Sequence, residues 1–287
     1  MASSPYVIAV VNQKGGVGKT TSAVNLAACL AASERPTLLI DMDPQANASS
    51  AYGIVQAERQ VYDALIDEVA LTHCAYETEL ETLHVVPAGR DLVGAEIELV
   101  SKERREYRLS QSIEAMGDAY EIVLIDCPPS LGLLTLNALT AADAVLIPLQ
   151  CEYYALEGLA NLVETVDLIR GQLNPRLSIQ GIVLTMVDQR NNLAKQVEAE
   201  VRSHFADRVY RTRIPRNIRL SEAPSHGQPI LLYDIHSKGA VAYVKLADEL
   251  LGQLALTEQP RKPPVLPFAS QSDSQQSGHG GHDEPAS

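Results

Sequence analysis

The 287-residue sequence has no apolar run near the roughly 18 to 20 residues that a bilayer-spanning helix needs. It does not open on a basic segment followed by a secretory apolar stretch either, because Met1 to Pro5 leads straight into a strand-like run. A cytosolic protein is expected. Cysteine is sparse: Cys29, Cys74, Cys127 and Cys151 are scattered, with no C-x-x-C pair. Reduced, mostly buried thiols are expected in place of a disulfide framework or zinc site. There is no internal repeat. Positive charge is also scarce, since 23 lysines and arginines face 36 carboxylates for a formal charge of −13. That balance argues against uniform attraction to nucleic acid or anionic lipid. The scarcity is uneven, however. From Val201 to Arg219 six arginines stand against one acid, Asp207, which fits a confined anion-binding face and a solvated surface equally well.

An apolar content of 46% can bury the core of one large α/β domain. Apolar runs suited to buried strands occur at Tyr6 to Val11, Thr37 to Ile40, Leu83 to Val86, Ile122 to Ile125, Ala144 to Ile147 and Ile179 to Met186. Helix-like segments alternate with them, including Thr21 to Ala32, Leu131 to Ala141, Leu156 to Leu168 and Ala194 to His204. The alternation predicts a doubly wound, mostly parallel sheet with helices on both faces. Ligands of such sheets gather at the carboxyl ends of the strands. Lys14, Asp41, Asp43, Asp126 and Gln150 all follow strand-like runs and are therefore expected on one rim. Residues 1–256 form the expected domain. Residues 257–287, rich in Pro, Ser, Gln, Gly and His, are expected to be a disordered tail, where His279 and His282 are solvated or bind metal only weakly.

The first apolar run empties into Lys14-Gly-Gly-Val-Gly-Lys-Thr-Thr21. A strand, a glycine loop and a helix in that order make a phosphate cradle, because backbone N–H groups can close around an anion at a helix N-terminus. Lys19 would reach the β- and γ-phosphates and the Thr20 hydroxyl would meet Mg²⁺. The usual G-x-x-x-x-G-K-[ST] pattern fails, since Gln13 holds the place of its first glycine, and beside it stands a second lysine, Lys14. A lysine at the start of the loop has trouble folding back onto its own γ-phosphate, but it can reach across a two-fold axis into a partner's site. Asp126, ending a strand, suits a carboxylate that holds Mg²⁺ through water. The Cys127-Pro-Pro-Ser-Leu-Gly132 segment after it, stiff at the prolines and hinged at Gly132, suits a switch that senses the γ-phosphate. Asp43 is the candidate for orienting the attacking water, with Asp41 in support near the metal.

Asn12-Gln-Lys-Gly-Gly-Val-Gly-Lys-Thr-Thr21 resembles the deviant phosphate loop of the ParA/MinD/nitrogenase-iron-protein superfamily. Leu39-Ile-Asp-Met-Asp-Pro-Gln45, Asp126 to Gly132, Gln150-Cys-Glu-Tyr-Tyr-Ala-Leu-Glu-Gly158 and Ile214 to Ser225 narrow the likeness to chromosomal ParA/Soj-type partition ATPases. The likeness spans roughly residues 6 to 255. It implies an ATP- and Mg²⁺-dependent homodimer that binds DNA without sequence preference, works at the nucleoid, and is reset when a ParB-type centromere-binding partner stimulates slow hydrolysis. By position, Lys14 matches a signature lysine acting across the dimer, Lys19 and Thr20 the phosphate and Mg²⁺ residues, and Asp43 the hydrolytic aspartate. Gly15, Gly16, Val17, Gly18 and Thr21 complete the nucleotide loop. Pro215 and Asn217 match adenine contacts, and Arg190 and Arg219 match positions implicated in DNA binding. In Gln45-Ala-Asn-Ala48, alanine stands where relatives often have glycine. No helix-turn-helix extension precedes the first strand, unlike the longer plasmid-type members.

Three other readings compete. A MinD-like, membrane-cycling ATPase needs a terminal basic amphipathic helix, whereas Ser270 to Ser287 has no lysine or arginine and no apolar stripe. An electron-transfer ATPase with a shared iron–sulfur cluster would use Cys127 or Cys151, but neither lies in a glycine-flanked cysteine pair. An ATPase that positions a cargo other than DNA would use the same switch and stays open at this point.

Overall fold

The computed structural model describes residues 4–152, 154–188 and 190–254, so the expected tail with His279 and His282 lies outside the described residues. The strands are β1 Tyr6–Val10, β2 Thr37–Asp41, β3 Tyr76–Glu77, β4 Leu83–Val86, β5 Ile122–Asp126, β6 Ala144–Gln150, β7 Ser178–Val187 and β8 Val209–Pro215. They form one sheet in the order β3-β4-β2-β5-β1-β6-β7-β8, in which only the β3–β4 pairing is antiparallel. The helices are α1 Lys19–Ala32, α2 Asn47–Ser50, α3 Val61–Ile66, α4 Leu71–Cys74, α5 Leu92–Glu98, α6 Arg108–Ala115 and α7 Leu133–Ala141. After them come α8 Ala155–Gln172, α9 Asn192–Phe205, α10 Ile218–Glu222, α11 Ile230–Tyr233 and α12 Lys238–Leu254. This is the doubly wound architecture that the alternating runs predict.

The period-two geometry of a strand divides each run between two cores. Val7, Ala9, Val123, Ile125, Val145 and Ile147 point to one face, which α3 and α5 to α8 cover. Ile8, Val10, Ile122, Leu124 and Leu146 point to the other, covered mainly by α1 and α12. Because both faces are closed, β2 and β5 are aliphatic at every position before their terminal aspartates, apart from Thr37, and buried throughout. Parallel pairing then places the strand ends side by side. Asp41 lies opposite Asp126, and Val10 opposite the same Asp126 on the other flank.

Two features were not foreseen from the sequence. Val209–Pro215, inside the arginine-rich stretch, is an edge strand that buries Val209, Tyr210 and Ile214 and exposes Arg211 and Arg213. Its free edge is blunted by Glu249 of α12, whose carboxylate accepts the Arg211 and Thr212 backbone N–H groups at 2.8 and 3.0 Å. The second is Ala46, which occupies the left-handed region (φ 53°) at the start of α2. Glycine would tolerate that conformation without the steric penalty of a Cβ, which Ala46 carries.

All four cysteines are free and buried, and burial pushes their thiols upward, to about 12 for Cys29 and Cys74 and about 11 for Cys151. No helix among the described residues is long and apolar enough to cross a membrane. One buried polar pair lies beneath the sheet, where the Tyr120 hydroxyl meets His84 Nδ1 at 3.0 Å. Burial lowers the His84 pKa to about 4. The folded state therefore binds fewer protons than the unfolded chain between about pH 6.5 and 4, and stability drains away as the pH falls through that window. Replacing His84 by leucine should remove that component, so urea midpoints between pH 7 and 4.5 should fall less steeply in the variant than in the parent.

Candidate functional site

Strand β1 delivers the glycine loop to the carboxyl edge of the sheet, and neighbouring strands fix it there. The Asn12 side chain accepts the Lys14 N–H at 3.0 Å and donates to the Pro148 carbonyl of β6 at 2.8 Å. Thr185 of β7 donates its hydroxyl to the Val17 carbonyl at 2.7 Å. Gly16 and Gly18 adopt positive φ values of 74° and 88°, which L side chains rarely tolerate. Open space faces Gly15 and Gly16 where a Cβ would stand. Helix α1 has no side-chain cap and no acid in its first turn, so its leading N–H groups and dipole are left for an anion.

Opposite charges meet under this loop. Lys19 is buried, and its ammonium donates to the Lys14 carbonyl at 3.2 Å. Burial lowers its pKa, while Asp126 and Asp43 pull it back up. Asp126 is fully buried, and neither carboxylate oxygen has a hydrogen-bond partner among the described residues. Its pKa is pushed well up, first by burial and then by Asp41. The nearby Thr20 hydroxyl and Lys19 lower it only in part, Thr20 standing close without a properly formed hydrogen bond. Asp41 differs because its oxygens are fully engaged. They accept the Asp43 N–H at 3.1 Å, the Ser49 N–H at 2.8 Å and the Ser49 hydroxyl at 2.7 Å. Burial still raises its pKa to about 6. Asp43 is buried at the mouth of the loop, with one oxygen accepting the Gln45 N–H at 2.9 Å.

This set fits a magnesium nucleotide. A naked buried carboxylate is costly unless a cation meets it, and an uncapped helix behind a glycine loop is built to receive phosphate. Thr20 and Asp126, the latter through water, would hold the metal, which would supply charge neutralisation for the phosphates. Beside the loop a cavity of about 590 Å³ is lined by Gly18, Thr21, Met186, Pro215, Asn217 and Tyr243, a mostly apolar slot suited to a base. Pro215 and Asn217, the residues expected at the base, line this cavity together with Gly18 of the phosphate loop.

Lys14 is placed differently from Lys19. Its ammonium pairs with Glu152, just past the end of β6, and the lysine side chain is about half exposed. Arg190 and Arg219 are both exposed, and each is already paired. Arg190 holds both oxygens of Asp188 at 3.1 Å, and Arg219 reaches Glu222 at 2.9 Å and Asp234 at 3.6 Å. The residues left unassigned by the sequence are the supporting ones: Asn12, Ser49, Glu152 and Thr185. Glu96 of α5 is another, since its carboxylate occupies the space where a Cβ of Gly132 would be, beneath the Cys127 to Gly132 segment. Asn12 and Glu152 fall inside motifs that give them no role of their own, and the role of each of the five is recognisable only once the fold brings its partner near.

Comparisons with known proteins agree with this geometry. A sequence profile for the family described as AAA domain matches residues 6–179. The chromosome partitioning protein ParA of Myxococcus xanthus is 56% identical over 247 residues, 85% of this chain and 87% of that protein. The sporulation initiation inhibitor protein Soj of Bacillus subtilis is 56% identical over 246 residues, 85% of this chain and 97% of that protein. Among solved structures, cobyrinic acid a,c-diamide synthase of Mycobacterium smegmatis with bound ATP analog and magnesium gives a TM-score of 0.74 at 35% identity. The alignment covers 89% of this chain and 98% of that one.

The unpaired carboxylate of Asp126 sets up an opposition between stability and ligand binding. Asp126→Asn should raise the urea stability of the nucleotide-free protein by about 1 to 3 kcal/mol, because a buried charge without a partner is removed. The same variant should lose the extra stabilisation that magnesium and nucleotide together give the parent. An unchanged midpoint without ligand would contradict the arrangement described for this carboxylate.

Proposed function

The chain belongs to the ParA/Soj family of chromosome-partitioning ATPases, and from that premise we propose that it is an ATP-driven switch that binds DNA as a dimer. ATP and Mg²⁺ are the ligands of the loop. Lys19 and the α1 N-terminus hold the phosphates, Thr20 and Asp126 hold the metal, and Pro215 and Asn217 pack on the adenine. Asp43 orients the attacking water at the γ-phosphate, while Asp41, fastened by Ser49, positions the backbone of Asp43. The observation that carries the reading is the separation of the two lysines. Lys19 is turned into its own loop, whereas Lys14 stands on the open rim beside Glu152. A cation so placed serves the triphosphate of a second copy, which makes ATP the glue of the dimer.

Dimerisation doubles the number of cations offered to DNA and so raises an otherwise weak, sequence-blind affinity. Arg190 and Arg219 belong to that surface. Hydrolysis, slow alone and accelerated by a ParB-type centromere-binding partner, dissolves the dimer and releases the DNA. The protein thereby works in the cytoplasm on the nucleoid, with no membrane stage.

Binding to a random-sequence duplex, followed by fluorescence anisotropy against salt, tests the switch. Tight binding should require ATP and weaken steeply with salt, and equal binding with ADP would contradict it. Lys19→Ala should abolish nucleotide binding. Asp43→Ala should lower turnover by about 100-fold or more while leaving the protein on DNA with ATP; turnover at the parental rate would show that another group positions the water.

A further inference from the structure

Between β8 and α12 runs a cleft of about 640 Å³ whose charged lining residues are all cationic. Arg211 and Arg213 enter it from the outer face of β8, Lys238 and Lys245 from α12, and His236 from just before α12. Of the four full cations, only Arg213 has a carboxylate partner among the described residues, Glu198 at 2.7 Å. Two acids lie one turn beyond Lys245: Asp248, which forms no ion pair among the described residues and acts on Cys29, and Glu249, which has both oxygens turned to backbone N–H groups of β8. In a chain of formal charge −13, this is a local reversal of sign, concentrated by the low-dielectric walls of a cleft.

The cleft also adjoins the two arginines already assigned to DNA. Its wall residue Val187 precedes Asp188, the acid that holds Arg190, and His236 lies two residues beyond Asp234, which holds Arg219. Arg190 and Arg219 must leave their own carboxylates before they can meet phosphate, whereas Arg211, Lys238 and Lys245 need not. The cations are also spread out. Lys238 and Lys245 are seven residues apart on one helix, about 10 Å along its axis, or about three phosphate steps along one strand of B-DNA. A small anion cannot span that distance, but a phosphate backbone can.

We infer that the β8–α12 cleft is the main phosphate-binding surface of the dimer, that it takes the sugar–phosphate backbone of duplex DNA, and that Arg190 and Arg219 form its rim. The inference rests on the DNA reading above and assigns the residues that carry it. Beside the cations the cleft is lined by Thr212 and the apolar Val187, Pro215, Val241 and Ala242, with no carboxylate or amide side chain, so the contact positions DNA through its phosphates without reading its sequence.

The test is the full chain with Arg211→Ala and Lys245→Ala combined, measured on a random-sequence duplex with a non-hydrolysable ATP analogue and Mg²⁺ over a range of salt. Arg170→Ala, which removes an exposed cation on α8, serves as the control. The double variant removes two cations per protomer and should bind at least tenfold more weakly. The slope of log affinity against log salt should shrink by about 2 to 4 units, with Arg170→Ala unchanged. Dimer formation is followed in parallel by sedimentation. Parental affinity and slope in the double variant would overturn the cleft while leaving the DNA reading intact, and loss of the dimer together with DNA would overturn it as an indirect effect. Failure of the parent itself to bind DNA with the analogue would overturn the DNA reading and the cleft with it.

Discussion

A carboxylate without a partner, buried at the end of a parallel strand, is the constraint around which the structure is arranged. Asp126 cannot be solvated from outside, and the neighbouring Asp41 adds to its discomfort. Lys19 offsets part of the charge, and the rest is left for a cation that arrives with the ligand. The same edge carries a glycine loop and an uncapped helix that favour anions. Neither half is satisfied without the other. A magnesium nucleotide would bring both charges at once, so its binding can favour one arrangement of this edge over another and drive a change of state.

The fold achieves this with short-range devices. Parallel register sets Asp41 beside Asp126, and Ser49 then takes up the Asp41 oxygens, so that only one of the two carboxylates is left bare. Asn12 and Thr185 tie the loop to β6 and β7, which makes the cradle part of the sheet and no longer a free loop. The side chain of Lys14, by contrast, is tethered through Glu152, and both side chains are about half exposed. An ion pair of that kind contributes about 1 kcal/mol or less. It can hold the ammonium on the rim of a lone protomer and still yield when a second triphosphate comes within reach.

Much of this was legible in the sequence. The runs ending in Asp41 and Asp126 are aliphatic because their strands are buried on both faces, and that signal survives without an alignment. The glycines at 15, 16 and 18 and the displaced lysine at 14 announce the loop and its departure from the common pattern. What stayed hidden depends on distant partners. Nothing local links Ser49 to Asp41 or Glu152 to Lys14. Strand β8 was hidden for another reason: alternating arginines on its outer face masked the buried Val209, Tyr210 and Ile214, so an edge strand read as a charge run. The paired state of Arg190 and Arg219 was equally out of sight, because the acids that hold them are near in space as well as in sequence and a count of charges does not show which are engaged.

The central claim is that triphosphate occupancy and pairing of two copies are one event, joined through the side chain of Lys14. Sedimentation equilibrium at high protein concentration, with saturating non-hydrolysable ATP analogue and Mg²⁺, tests it most directly. The account predicts a dimer for the parent chain, and a monomer for Lys14→Ala although that variant still binds the nucleotide. A parent chain that sediments as a monomer under those conditions would contradict it.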